Sequence, residues 1–291
     1  MKAFIFPGQG SQFPGMGKNI YDQYAESHPY FEEANEILGF NIQNIMFEGS
    51  KEDLKRTAVT QPAVFLYSYL SYVTMPDRPL PGAMAGHSLG ELTALVSAEV
   101  LSFSDGLDLV KSRANAMQKA CEAKKSTMAA IVGLEDQKVR SICSDINDDV
   151  VAANFNCPGQ VVISGSESGV QLAMEKLKSE GAKRALPLAV GGAFHSAFMS
   201  PAEEELKEKI QSISFSIPSC PIYQNVDAKP HEIPQKIQEN LISQLTSPVL
   251  WTQTMNHMLS DGIDDFIEFG GKVLSGFVKR VDRQIPTLQI M

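Results

Sequence analysis

Cysteine is scarce and scattered in this sequence. The four, Cys121, Cys143, Cys157 and Cys220, include no C-x-x-C pair, so the spacings of zinc ribbons and dithiol redox centres are missing and no metal is expected. A chain of 291 residues can bury a core without a disulfide framework, and free thiols in a reducing cytosol are the expectation. Basic charge is short as well: 25 Lys and Arg stand against 34 Asp and Glu, a formal net charge of −9. Gripping a phosphate backbone needs a dense basic surface, so nucleic acid is not an expected partner. Long hydrophobic runs are missing too. The apolar stretch Ala3-Phe4-Ile5-Phe6 stops at Pro7, far short of a signal-peptide core or a membrane span. No membrane partner is expected, and the expected location is the cytoplasm.

What is present is an ordinary soluble composition, 43% hydrophobic and 20% charged, at a length that suits one large domain plus a small insertion. Ala3 to Phe6, closed by Pro7-Gly8, predicts a buried strand ending in a tight loop. Helical patterns run from Ile20 to Leu38 and from Gln61 to Val73. Ala83-Met84-Ala85 predicts a second buried strand, with helix-forming stretches from Glu91 to Ala98 and from Ser104 to Cys121. Strand, turn and helix alternating in this way indicate a parallel sheet under covering helices. Near Lys124 the texture changes. Strands are predicted at Met128–Val132, Val150–Asn154, Gln160–Ser164 and Ala185–Val190, with helices at Glu135–Ile146 and Ser166–Glu180. That βαββαβ order is ferredoxin-like. Beyond it, Pro201–Ile213 predicts a helix, Pro221–Val226 a strand and Ser247–Leu259 an amphipathic helix.

The strongest local feature is G-H-S-L-G, Gly86 to Gly90. It follows an apolar strand and opens a helix, which is the setting of the G-x-S-x-G nucleophile elbow. The glycines permit a sharp turn that lifts the Ser88 hydroxyl to its tip. The backbone N–H of Leu89 is left near a helix N-terminus, where it can donate to a developing oxyanion. With this elbow the expected fold class is α/β: a large α/β-hydrolase-like domain with a parallel sheet, residues 1–123 and 191–291, carrying an inserted small ferredoxin-like subdomain, residues 124–190. The motif specifies acyl chemistry on a serine without separating transferases from esterases.

A serine hydroxyl needs a base to take its proton, and five histidines are available. His87 adjoins the serine, but neighbouring side chains on a turn point apart, so it is expected to be a structural hydrogen-bonder. His28 sits in a surface-like helical segment, His231 in a loop-like one, and His257 on the polar part of a helix. His195, in G-G-A-F-H-S, follows a strand and a glycine pair, where loops carry function. Chain order also favours it, since α/β serine enzymes place the histidine after the serine. The loop P-G-Q-G lacks both the G-x-G-x-x-G and the Walker lysine spacing, which leaves a nucleotide reading weak.

Taken together the motifs resemble the malonyl-CoA:acyl carrier protein transacylases and their acyltransferase relatives in polyketide synthases. The residues that carry the resemblance are F-P-G-Q-G-S-Q (Phe6 to Gln12), T-Q-P-A (Thr60 to Ala63), G-H-S-L-G-E (Gly86 to Glu91) and R-x-x-x-M-Q (Arg113 to Gln118). N-x-P-G-Q (Asn156 to Gln160), F-H-S (Phe194 to Ser196), Q-L-x-x-P-V-x-W (Gln244 to Trp251) and G-K-V-L (Gly271 to Leu274) complete it. It spans nearly the whole chain.

The resemblance implies Ser88 as nucleophile and His195 as base, with a backbone carbonyl near Gln244 orienting the imidazole in place of an aspartate. It implies an oxyanion hole from the backbone N–H groups of Gln9 and Leu89. Arg113 would grip the free malonyl carboxylate through two parallel charge-assisted bonds, which a lysine could not reproduce. Met117, Phe194 and Gln244 would join it in binding substrate, and the Phe194 ring would disfavour the extra methyl of methylmalonyl. The implied activity moves malonyl from malonyl-CoA to the phosphopantetheine thiol of holo acyl carrier protein, in fatty-acid synthesis, by a monomer. It uses no cofactor, with malonyl-CoA as substrate. An acidic carrier would need a local basic patch, for which Lys183-Arg184 and Lys279-Arg280 with Arg283 are candidates. The rival readings are a serine hydrolase, an acyltransferase for another acyl group, and a non-catalytic scaffold that binds the carrier.

Overall fold

The computed structural model describes residues 1–291. Its strands are β1 (Lys2–Phe6), β2 (Ala83–Gly86), β3 (Thr127–Val132), β4 (Val150–Cys157), β5 (Gln160–Gly165), β6 (Arg184–Pro187), β7 (Ile222–Tyr223), β8 (Pro230–His231), β9 (Asp265–Phe269) and β10 (Thr287–Ile290). They form two sheets. The larger has the order β10-β9-β1-β2-β7-β8, parallel from β10 to β7, with β8 antiparallel at the edge. β1 is apolar at successive positions because helices cover both faces. Phe4 and Phe6 pack into one core cluster, and Ala3 and Ile5 into the cluster on the opposite face.

Register positions the site. Phe6 pairs with Gly86, so β1 and β2 end side by side and release two loops from the same edge of the sheet. In open α/β sheets this carboxyl edge is where ligand crevices form. The first loop is Pro7 to Gln9 and the second is the turn at Ser88.

The smaller sheet has the order β4-β5-β3-β6 and is antiparallel throughout. The helices Asp136–Ser144 and Glu167–Ser179 alternate with its strands in the expected βαββαβ order. Ala129, Ile131, Phe155, Val161 and Ile163 bury against them in a separate core cluster. Met128 and Val162, on the other face, belong to the main core cluster. The sheet is stitched to the larger unit through Val249: its N–H donates to Ala153 O at 2.8 Å, and its carbonyl accepts from Phe155 N at 2.9 Å.

Several elements differ from the expected bounds. The helical pattern Ile20–Leu38 is two helices, Lys18–Gln23 and His28–Leu38, separated by a 3-10 turn at Ala25–Ser27; Pro29 cannot donate a helical hydrogen bond to the preceding turn. The strand expected at Pro221–Val226 pairs only at Ile222–Tyr223, because Asn225 N donates to the Glu91 carboxylate and Asn225 O accepts from Leu250 N instead of a neighbouring strand. Helix starts only at Trp251, not Ser247, since Val249 is committed to β4. His231 lies in the short strand β8 and not in a loop.

Candidate active site

The turn at Ser88 is strained and tightly enclosed. Ser88 has φ 53° and ψ −108°, a region that side chains rarely occupy and that persists only where surroundings enforce it. A Cβ on Gly86 would lie 1.8 Å from Gly90 C, and one on Gly90 would lie 2.0 Å from Phe6 O. Only glycine fits at either position. The same closeness reaches the neighbouring loop, where a Cβ on Gly8 would meet His87 O at 2.5 Å.

Ser88 Oγ lies 2.8 Å from His195 Nε2. The other ring nitrogen, Nδ1, is 3.0 Å from Gln244 O and 3.2 Å from Ser247 O. Carbonyl oxygens only accept, so Nδ1 carries the proton and Nε2 is left as the acceptor facing the serine hydroxyl. No carboxylate touches the ring. His195 is 3% exposed, and burial, with the Arg113 cation adding to it, drives the imidazole down to about 3. The resting ring is therefore neutral. Its loop is held by the smaller unit: Ser164 Oγ on β5 donates to Phe194 O at 2.6 Å, and Ser126 Oγ accepts from Ala193 N at 2.9 Å.

Arg113, on the helix Phe103–Ala123, is 2% exposed. Its Nη1 donates to Gln61 Oε1 at 2.8 Å, and its Nη2 donates to Ser88 Oγ at 3.0 Å and to Gln244 Oε1 at 3.2 Å. All three partners are neutral. Nε is buried with no acceptor. Burial lowers this group to about 10, which keeps it a cation at neutral pH. A buried guanidinium without a touching carboxylate is a costly arrangement, and the unpartnered Nε–H shares one edge with Nη2, the geometry that accepts a carboxylate in parallel bonds.

These groups face one cleft of about 210 Å³. Gln9, Ser88, Leu89, Arg113, Met117, Phe194 and His195 all line it. Neither the Gln9 nor the Leu89 backbone N–H has an acceptor within the protein. Met117 Sδ accepts from Gln61 Nε2 at 3.2 Å, so the methionine also buttresses the arginine's partner. Gln244 stands behind the cleft wall: its Nε2 donates to Ser88 O at 3.1 Å while its side-chain oxygen receives Arg113. His87 turns away, with Nε2 donating to Asn156 Oδ1 at 2.8 Å and the ring against Trp251. No group of three His, Cys, Asp or Glu side chains is gathered as a metal site needs.

Sequence reasoning missed the groups beneath the turn. Asn225 Oδ1 accepts from Ser88 N at 2.7 Å, and its Nδ2 donates to Gly86 O at 2.6 Å. Glu91, fully buried, accepts from Asn225 N at 2.7 Å and from Gln224 Nε2 at 3.2 Å. A Gln-Asn pair after a short strand carries no signal of its own. Glu91 did: a carboxylate in the first turn of an otherwise apolar helix must have partners.

The model of the acyl transferase domain family matches residues 3–271. The malonyl CoA-acyl carrier protein transacylase of Bacillus subtilis (strain 168) is 42% identical over 293 residues, which is 99% of this chain and 92% of the relative. An acyl carrier protein S-malonyltransferase from Vibrio cholerae O1 biovar eltor superposes with a TM-score of 0.95 at 40% identity, covering 99% of this chain and 96% of that one. A malonyl-transacylase solved in complex with its type II PKS acyl-carrier protein gives a TM-score of 0.95 at 36% identity, covering 99% and 95%.

Proposed function

The chain belongs to the malonyl-CoA:acyl carrier protein transacylase family of acyl transferases, and from that premise we propose how its own residues carry out malonyl transfer from malonyl-CoA to acyl carrier protein. It is an [acyl-carrier-protein] S-malonyltransferase. The observation that carries the residue-level reading is the buried Arg113 guanidinium against Ser88 Oγ, with an unspent Nε–H on the same edge. A hydrolase of neutral esters has no use for that cation. A substrate with a free carboxylate beside its reacting carbonyl does.

The cycle runs as follows. The malonyl carboxylate takes Nε and Nη2 of Arg113, which withdraws the Nη2 donor from Ser88 Oγ. Ser88 Oγ attacks the thioester carbonyl while its proton passes to His195 Nε2. The negative charge forms on the carbonyl oxygen, and the N–H groups of Gln9 and Leu89 donate to it. Collapse breaks the C–S bond, the proton on Nε2 goes to the departing coenzyme A thiolate, and a malonyl-serine ester remains. The carrier's phosphopantetheine thiol then attacks the ester, giving its proton to His195, and Ser88 leaves with that proton. Gln244 O and Ser247 O hold the transient imidazolium through Nδ1–H, the task an aspartate performs elsewhere. Met117 and Phe194 shape the acyl end of the pocket. Every step uses groups of the chain and its two substrates.

Residues 124–190 act in this reading as a subdomain that roofs the cleft, since Met128, Asn154, Val162, Leu188 and Val190 line it. The carrier approaches along a local basic patch, for which Lys183-Arg184 and Arg280 with Arg283 are the candidates. Lys279 is set aside from that patch because its ammonium donates to Ile285 O. In this reading the chain works as a monomer in the cytoplasm, where free thiols such as its four cysteines persist. The test is pre-steady-state release of coenzyme A without carrier. A burst equal to the enzyme concentration followed by a stall is expected, whereas steady release without carrier would establish a hydrolase instead.

A further inference from the structure

Glu91 takes no part in the steps above, yet it is a fully buried carboxylate one helical turn beneath the nucleophile. Both of its oxygens are occupied as acceptors, Oε2 by Asn225 N–H at 2.7 Å and Oε1 by Gln224 Nε2–H at 3.2 Å. Asn225 passes the contact on, since its side chain binds Ser88 N and Gly86 O, the two ends of the strained turn. Gln224 is pinned in turn by Ile237 O and Asn240 Nδ2. We propose that Glu91 is a positioning residue for acylation: its ionised carboxylate locks Asn225, and Asn225 locks the turn that presents Ser88 Oγ to His195.

The chemistry makes this lock sensitive to protonation. A proton on either oxygen of Glu91 removes the charge that strengthens both contacts and adds a hydroxyl donor among groups that already donate, which weakens the hold on Asn225. Burial pushes the carboxyl up to about 7, inside the working range. The charge that faces it is Arg113, on the helix Phe103–Ala123. The other groups packed on it, Gln224, Asn225 and Gln244, are neutral amides, and the Asp227–His231 pair lies beyond Asn240. His195, neutral down to about 3, contributes no titration near neutrality. His87, beside Ser88, is likewise driven down by burial, so a fall in acylation rate as pH drops toward about 7 that disappears in Glu91→Gln belongs to Glu91.

The inference rests on the reading of Ser88 as nucleophile, and the experiment separates the two. The single-turnover rate of Ser88 malonylation by malonyl-CoA is followed by rapid quench from pH 5.5 to 9 in wild type, Glu91→Gln and Asn225→Ala, with melting temperature recorded at each pH. Glu91→Gln mimics the protonated carboxyl, because its amide places a donor where an acceptor stood. Expected is a rate in wild type that falls below about pH 7, and a flat profile in Glu91→Gln at the low plateau. The loss is on the order of 10²-fold, as ångström-scale misplacement of a reacting atom causes, with KM for malonyl-CoA within about twofold. Asn225→Ala is expected to fall equally. A wild-type rate that is flat through neutrality, or a folded Glu91→Gln with wild-type rate and profile, overturns the inference. Should Glu91→Gln fail to fold, the wild-type profile and Asn225→Ala decide. Malonylation that persists in Ser88→Ala would instead overturn the nucleophile reading itself.

Discussion

Arg113 Nη2 donates to Ser88 Oγ across 3.0 Å, while Nε of the same guanidinium has no acceptor in the protein. The resting enzyme thus holds a cation against the Ser88 hydroxyl, the proposed nucleophile, and keeps one donor in reserve. An incoming carboxylate satisfies both at once. Charge-assisted hydrogen bonds contribute about 1.5–3 kcal/mol each, and each 1.36 kcal/mol is about tenfold in rate. Replacing Arg113 with Ala is expected to lower kcat/KM for malonyl-CoA by on the order of 10²-fold or more and to leave acetyl-CoA nearly unaffected. Arg113→Lys recovers little, because an ammonium lacks the paired edge. Steady-state kinetics with both thioesters check this, and equal losses for the two would contradict it.

Phe194 lines the cleft one residue before His195 and is 7% exposed. Replacing it with Ser opens space beside the acyl group. The preference for malonyl over methylmalonyl should then shrink by about tenfold, within the range that one methyl commands. Competition between the two coenzyme A thioesters measures the ratio directly. An unchanged ratio would remove Phe194 from the specificity account.

Stability carries a pH signature of the site. Folded His195 stays neutral down to about 3, whereas the unfolded ring takes a proton near its usual 6.5. The folded state therefore loses stability as pH falls from 6.5 toward 3. Glu91 acts in the opposite sense, since its folded carboxyl keeps its proton up to about 7 against 4.5 when unfolded; that group costs stability as pH rises from 4.5 to 7. Below 4.5 only the histidine of these two still contributes, and comparison with a variant isolates it from the other groups that titrate there. A His195→Gln variant should lose less melting temperature than wild type between pH 4.5 and 3.5 in calorimetry. Parallel losses would show that the ring is not held neutral.

The turn itself tolerates no side chain. A methyl on Gly90 would stand 2.0 Å from the carbonyl of Phe6, a rigid strand end that cannot yield. Gly90→Ala is expected to destabilise the protein by about 3 kcal/mol, the upper part of the overpacking range, and to lose activity with it. Urea unfolding measures the first, and a loss below 1 kcal/mol (about the typical single substitution) would contradict the packing argument.

Much of this architecture was legible in the residues. β1 and β2 announced themselves as apolar runs ended by glycine, and the βαββαβ order survived with its boundaries moved by a few residues. Other parts were hidden. β9 contains Glu268, a buried carboxylate that accepts from Leu274 N and Ser275 N, and so it interrupts the apolar pattern that marks a strand. The helix Pro234–Ser243 and the pair Gln224-Asn225 gave no periodic signal that linked them to Ser88. The pair reaches Ser88 and Glu91 through contacts more than 130 positions apart in the chain, and no local pattern encodes such contacts. Ser88, His195 and Arg113, which the structure brings into contact, each sit in a motif. The amides that hold them do not.

The central claim is a malonyl ester on Ser88 that waits for a carrier thiol. Intact-protein mass spectrometry after incubation with malonyl-CoA tests it most directly, followed by addition of holo acyl carrier protein. A single malonyl adduct on the wild type, absent from Ser88→Ala, stable in buffer and discharged to the carrier on mixing, is the predicted result. An adduct that Ser88→Ala retains, or one lost to water before the carrier arrives, would contradict the account.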